Sequence, residues 1–182
     1  MTATEEDYIA RERVAETKSE YLEGRLHAMA GGSPRHNLVV ANLTIAIGAL
    51  LRGKPCVVLT SDQRILVAET GLYTYPDLTI VCGGVNVHAQ FDDTVVNPTV
   101  LVEVLSPSTE AYDRGAKFAH YRRIASLREV LFVWPDEPFV EHYGRGEGER
   151  WILCSLRGEA TAVRLESVAI DVRIVAATNR DL

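Results

Sequence analysis

Two acidic residues, Asp77 and Glu103, stand in strongly apolar, strand-like segments, Tyr75-Pro76-Asp77-Leu78-Thr79-Ile80-Val81 and Thr99-Val100-Leu101-Val102-Glu103-Val104-Leu105. A carboxylate taken out of water without a partner shifts its pKa or coordinates a cation. Two of them on neighbouring strands therefore point to a divalent metal site, and hard oxygen ligands suit magnesium or manganese. A helix is expected soon after Glu103, and on it Asp113, Lys117 and Tyr121 recur at four-residue steps and share one face. A strand-to-helix unit folds the first turns of the helix back over the strand end, so the Lys117 ammonium can point at the carboxylates. In phosphodiester hydrolysis the metal carboxylates position water and polarise the phosphate, while a nearby lysine orients the nucleophile or stabilises developing charge.

Each residue also has a plainer explanation. Asp113 and Lys117 are spaced as an ordinary helical ion pair, and as a surface pair its removal would cost at most about 1 kcal/mol. Asp77 after Pro76 suits a turn at a strand start, and Arg122 and Arg123 suit a helix C-terminus. His36 follows a helix cap as a surface histidine would, and Asp62 fits a hairpin. Glu103 is the hardest to explain away, because a solvated carboxylate within Val-Leu-Val-Glu-Val-Leu requires an edge strand.

The elements that must position these residues are legible in outline. Thr4 to Lys18 reads as a mostly wet N-terminal helix capped by Thr4, and Glu20 to Met29 as a hairpin turning at Glu23-Gly24. Ser33 and Pro34 open a helix running to about Leu51, with two apolar stripes that predict it is largely buried. Strand candidates follow at Cys56–Thr60, Gln63–Val67 and Asp77–Cys82, then a polar connection from Gly83 to Pro98. Thr99–Leu105 reads as a strand buried on both faces, with a helix over about Glu110–Ala125 and another buried strand at Glu129–Trp134. Segments at Phe139–Tyr143, Arg150–Ser155 and near Val163 and Ile170 read as antiparallel strands. The class is α/β with a mixed sheet, in one domain over residues 1–182.

Composition narrows the function. The chain carries a formal net charge of −6, which argues against an extended nucleic-acid surface. A local basic set, Arg114, Lys117, Arg122, Arg123 and Arg128, lies beside the candidate carboxylates, so DNA is expected to dock on that side. One small basic patch per chain gains reach by pairing, which predicts a homodimer. No segment reads as a signal peptide or a membrane span, and Cys56, Cys82 and Cys154 read as reduced core thiols; together these predict a soluble, cytoplasmic protein.

The quoted segments, with Glu20-Tyr21-Leu22-Glu23-Gly24, Ser33-Pro34-Arg35-His36-Asn37, Ser61-Asp62, Glu103-Val104-Leu105-Ser106-Pro107-Ser108-Thr109 and Asp113-Arg114-Gly115-Ala116-Lys117 through Tyr121, resemble the Uma-type family of putative restriction endonucleases. That family lies within the PD-(D/E)XK nuclease superfamily. The resemblance spans nearly the whole chain and implies a restriction-endonuclease-like core: a mixed β-sheet flanked by helices, here with additional C-terminal antiparallel strands. It implies a magnesium- or manganese-dependent endonuclease acting on DNA, with Asp77 and Glu103 as metal ligands joined by the Val104 carbonyl. The superfamily lysine two places beyond Glu103 is Leu105 here, so the resemblance assigns the cation to Lys117 and a further acid to Glu20. His36, Asp62, Asp113 and Tyr121 match family positions as accessory residues, and Arg114, Arg122, Arg123 and Arg128 would hold DNA. The alternative is a catalytically silent nuclease-fold module that binds nucleic acid or protein.

Overall fold

The computed structural model describes residues 3–158 and 162–173. Thr4 opens helix α1 (Glu5–Glu12) with a capping box: its hydroxyl accepts from the Asp7 amide, and the Asp7 carboxylate accepts from the Thr4 amide. The helix stops at Glu12 instead of Lys18 and is not wholly wet, since Tyr8 and Ile9 are buried and the Tyr8 ring stacks on Tyr21 at 5.0 Å. Strands β1 (Ser19–Leu22) and β2 (Arg25–Ala28) form the expected hairpin. Its turn residues Glu23 and Gly24 have φ of 48° and 81°, the left-handed pair that matches strand twist. Helix α2 (Pro34–Leu50) starts at the Ser33 cap with Pro34 in its first turn.

Strands β3 (Cys56–Thr60), β4 (Arg64–Val67), β5 (Leu72–Thr74), β6 (Leu78–Cys82), β7 (Thr94–Val95) and β8 (Val100–Val104) follow. β5 and β7 went unread in the sequence because three- and two-residue strands carry too little periodicity. The helix expected over about Glu110–Ala125 is three short pieces: α3 (Glu110–Tyr112), a π-helical turn over Asp113–Lys117, and α4 (Phe118–Tyr121). Strands β9 (Glu129–Val133), β10 (Phe139–Arg145), β11 (Trp151–Arg157), β12 (Ala162–Leu165) and β13 (Ile170–Arg173) complete the described chain.

A six-stranded sheet in the order β11-β10-β9-β8-β6-β3 is mixed, with β8 parallel to β9 and the other neighbours antiparallel. A second sheet runs β2-β1-β5-β4-β7, and β12 pairs with β13 as a separate hairpin. Alternation along β8 divides two cores. Val100, Val102 and Val104 pack with Val39, Leu43 and Ile47 of α2, while Leu101 and Leu105 pack with Phe118 and Tyr121 on the other face. Both faces are thus covered, which is why β8 is a continuous apolar run with every residue buried.

Two expectations fail here. Helix α2 buries a single stripe, Val39, Leu43 and Ile47, and leaves Ile45 71% and Leu50 41% exposed; it contacts the sheet from one side only. Cys56 and Cys82 are not reduced core thiols. The β3–β6 register sets them opposite one another with Cα atoms 4.0 Å apart, and they form a disulfide, leaving Cys154 free and exposed.

Glu129 fastens the β12–β13 turn to the main sheet. Its carboxylate accepts from the Glu166 and Ser167 amides at 3.0 Å, from the Ser167 hydroxyl, and from His142 Nε2 at 3.0 Å. Burial opposes ionisation, but His142 and Ser167 outweigh it and hold Glu129 below the usual carboxylate range. A depressed folded pKa contributes stability above the unfolded value, near 4.3, that is lost as pH falls through the folded value. Glu129→Ala should therefore cost about 3 kcal/mol at pH 7 in urea unfolding, and the gap to the parent chain should close below about pH 4.

Candidate active site

Asp77 immediately precedes β6, and continuing the β6–β8 register by one residue sets it opposite Glu103. Both carboxylates line one cleft at that end of the strands, Glu103 against Lys117 and Tyr121 of the segment packed over β8, and Asp77 between the β8 backbone and α2. Asp77 Oδ2 accepts from the Val104 amide at 2.7 Å and meets His36 Nε2 at 3.2 Å. His36 arrives from the first turn of α2, on the opposite layer. Its hydrogen bond to Asp77, helped by one to the Val104 backbone, holds it above the ordinary imidazole range against the effect of burial.

Glu103 is 4% exposed. Its Oε1 accepts from the Tyr121 hydroxyl at 2.5 Å and pairs with Lys117 Nζ at 3.0 Å. The same ammonium lies 3.2 Å from Glu20 and 3.4 Å from Asp113. Glu20 is fixed in turn by hydroxyls, Tyr112 at 2.7 Å and Thr74. Lys117 is thus no surface pair: it is 4% exposed and shared by three buried carboxylates. The expectation that its removal costs little stability fails for that reason. The π-helical turn widens the helix where Asp113 and Lys117 sit and turns both inward.

Three acids against one ammonium leave an excess of negative charge in a dry site. Burial pushes Glu103 up to about 8 despite the pull of Lys117, with Asp113 and Asp77 adding to the rise. Burial favours the neutral form of Lys117, but Glu103, Tyr121, Glu20 and Asp113 outweigh it and keep the ammonium charged. Burial also opposes the Glu20 carboxylate, which Lys117, Thr74 and Tyr112 nonetheless hold low. A carboxyl with a raised folded pKa favours the fold at low pH, and that contribution is lost as pH rises through the folded value. The metal-free chain should therefore lose stability as pH rises through about 8, and Glu103→Gln should flatten the loss in thermal melts taken across that window.

Asp77, Glu103, Val104, Asp113, Lys117 and His36 all line one cleft of about 560 Å³. Glu20 and Tyr121 stand behind it, joined through Lys117 and Glu103. Among the described residues no three His, Cys, Asp or Glu side chains form a ready metal cage. The oxygens that could serve a cation there are the Asp77 and Glu103 carboxylates and the Val104 carbonyl, a hard, sparse set of the kind magnesium accepts while retaining several waters.

Of the predicted basic set, Lys117 lines this cleft and the four arginines do not. Arg114 pairs with Glu141 at 2.7 Å and Glu110 at 3.1 Å and lies over Trp134. Arg122 lies over Phe118, and Arg123 meets Glu69 at 3.4 Å. Arg128, like these, is absent from the cleft lining. Asp62 stands at 88% side-chain exposure, paired with Lys18. Lys18, Thr74 and Tyr112 were not identified from the sequence: Thr74 lies in the unread strand β5, and only the two-residue spacing of Lys18 from Glu20 could have singled it out.

Residues 5–176 match the Uma2 family model, described as "Putative restriction endonuclease". Two uncharacterized proteins of Synechocystis are 32% and 31% identical to this chain. Each alignment covers 93% of this chain, and they cover 95% and 87% of those proteins respectively. A crystal structure described as a putative nuclease belonging to DUF820, from Anabaena variabilis, superposes with a TM-score of 0.73 at 16% identity, covering 90% of this chain and 91% of that one. At that identity the likeness shows the fold, which is restriction-endonuclease-like.

Proposed function

Since the chain belongs to the Uma2 family of putative restriction endonucleases, we propose that it is a metal-dependent endonuclease hydrolysing DNA phosphodiester bonds at the Asp77–Glu103 cleft. The supporting observation is the convergence of those two carboxylates in one cleft with a buried ammonium that pairs with Glu103. Asp77, Glu103 and the Val104 carbonyl would hold magnesium or manganese. Bound there, the ion supplies Lewis-acid polarisation of the phosphate and a water acidic enough to attack near neutral pH.

The chain's own residues do the rest. The Val104 amide fixes the Asp77 carboxylate, and Tyr121 with Lys117 fixes that of Glu103, so neither has to reorganise when substrate enters. Lys117 stays charged beside Glu103 and offsets negative charge as it builds on the phosphate. Glu20 and Asp113 hold that ammonium in place from behind. His36 steadies Asp77 from the opposite layer.

A single cleft cuts one strand, so we keep the homodimer as the assembly that would cut both; sedimentation equilibrium checks it. Among the described residues no helix is long and apolar enough to cross a membrane. The proposal is tested by incubating the protein with supercoiled, linear and single-stranded DNA across magnesium and manganese, beside Asp77→Asn. Ion-dependent cutting that the variant lacks supports it. Cutting that persists in chelator, or equally in the variant, sinks it.

A further inference from the structure

A polyanion entering this cleft meets carboxylates, and the ammonium of Lys117 is already shared by three of them. The cleft's other lysine is Lys18. The Met29 amide donates to the Lys18 carbonyl at 2.9 Å and extends the β1–β2 ladder by one residue. Lys18 and Glu20 therefore point to the same face of the strand, about 7 Å apart along it. Lys18 Nζ donates to the Ser61 carbonyl at 2.8 Å, lies 2.5 Å from Asp62 Oδ1, and sits over the Tyr75 ring at 5.4 Å. Its counter-ion is 88% exposed. Such a pair contributes little and exchanges readily, whereas the carbonyl and the ring hold the ammonium at the cleft wall with donor capacity to spare.

We propose that Lys18 is a phosphate subsite, which takes the phosphodiester neighbouring the one cut and exchanges Asp62 for a phosphate oxygen. The inference rests on the nuclease reading and deepens it: the substrate is a polynucleotide, because a mononucleotide diester offers nothing to this second site. Asp62 acquires a role as the resident anion that substrate displaces.

The test measures binding of a labelled single-stranded oligonucleotide by fluorescence anisotropy, without divalent ion, over a series of salt concentrations. Lys18→Ala should reduce the salt slope by about 0.7 and weaken binding about fivefold at 0.1 M salt. Asp62→Asn should tighten binding, since the competing carboxylate is gone. A neutral methylphosphonate walked along the oligonucleotide should weaken binding to the parent protein at one position, and that position should become silent in Lys18→Ala. Equal slopes for Lys18→Ala and the parent, or a methylphosphonate effect that survives the substitution, overturn the subsite while leaving Asp77-dependent cleavage standing. No oligonucleotide binding and no cleavage by the parent protein would remove the nuclease reading and the subsite together.

Discussion

Asp77→Asn is expected to abolish cleavage, lowering the rate by roughly 10³-fold or more, the equivalent of about 4 kcal/mol of barrier. The substitution keeps an oxygen that can accept from the Val104 amide, now at 2.7 Å, but removes the charge that would hold a cation opposite Glu103. Fold and stability should survive, within about 1 kcal/mol, because one hydrogen bond to the backbone is retained and only the contact with His36 weakens. The measurement is a plasmid-nicking time course with magnesium, beside a urea titration of the same sample. A variant that cuts at the parent rate would take Asp77 out of the chemistry. One that unfolds would show its carboxylate to be structural.

Lys117→Met should fail differently, losing both cleavage and stability. Methionine fills the space of the lysine stem but leaves Glu20, Glu103 and Asp113 buried without their shared cation. Removing one partner of a buried ion pair typically costs about 3–5 kcal/mol. The loss has a pH signature with a definite sign. Without the ammonium, Glu20 loses the charge that holds it low and Glu103 is raised further, so the variant is destabilised most at alkaline pH and recovers as acid protonates the cluster. Urea unfolding at pH 8 and pH 5, followed by tryptophan fluorescence, should show a large deficit in the first and a small one in the second. A variant as stable as the parent at pH 8 would mean that water reaches the cluster. The Asp77 and Lys117 variants thus separate the two halves of the site, a cation seat that stability hardly depends on and a buried counter-charge that the fold needs.

The strands that carry the carboxylates were legible because burial on both faces leaves a continuous apolar run, and a lone acid within such a run is conspicuous. Thr4, Ser33 with Pro34, and Glu23-Gly24 announced their helix starts and hairpin for local reasons: hydroxyl caps, a fixed proline φ and left-handed turn residues act within a few positions. The sequence brought Lys117 toward the carboxylates through the strand-to-helix unit, but not the depth of its burial or the partners it meets there. Lys117 four residues from Asp113 looks the same whether the pair is solvated or buried. Only the packing of a π-helical turn over β8 decided that it is buried, and so turned a marginal surface pair into the counter-charge of three acids. Cys56 and Cys82, apolar in setting and far apart in sequence, became a disulfide only through the β3–β6 register. The arginines beyond Lys117 made a basic patch on paper, yet tertiary contacts gave Arg114 and Arg123 acids of their own and Arg122 an aromatic ring. The lysine that remains at the cleft wall, Lys18, lies two residues from Glu20, a spacing that places both on one strand face but says nothing of the cleft that face lines. Local rules set which elements form; the charge balance of a buried site is a sum over elements distant in sequence, and it exists only once they are packed.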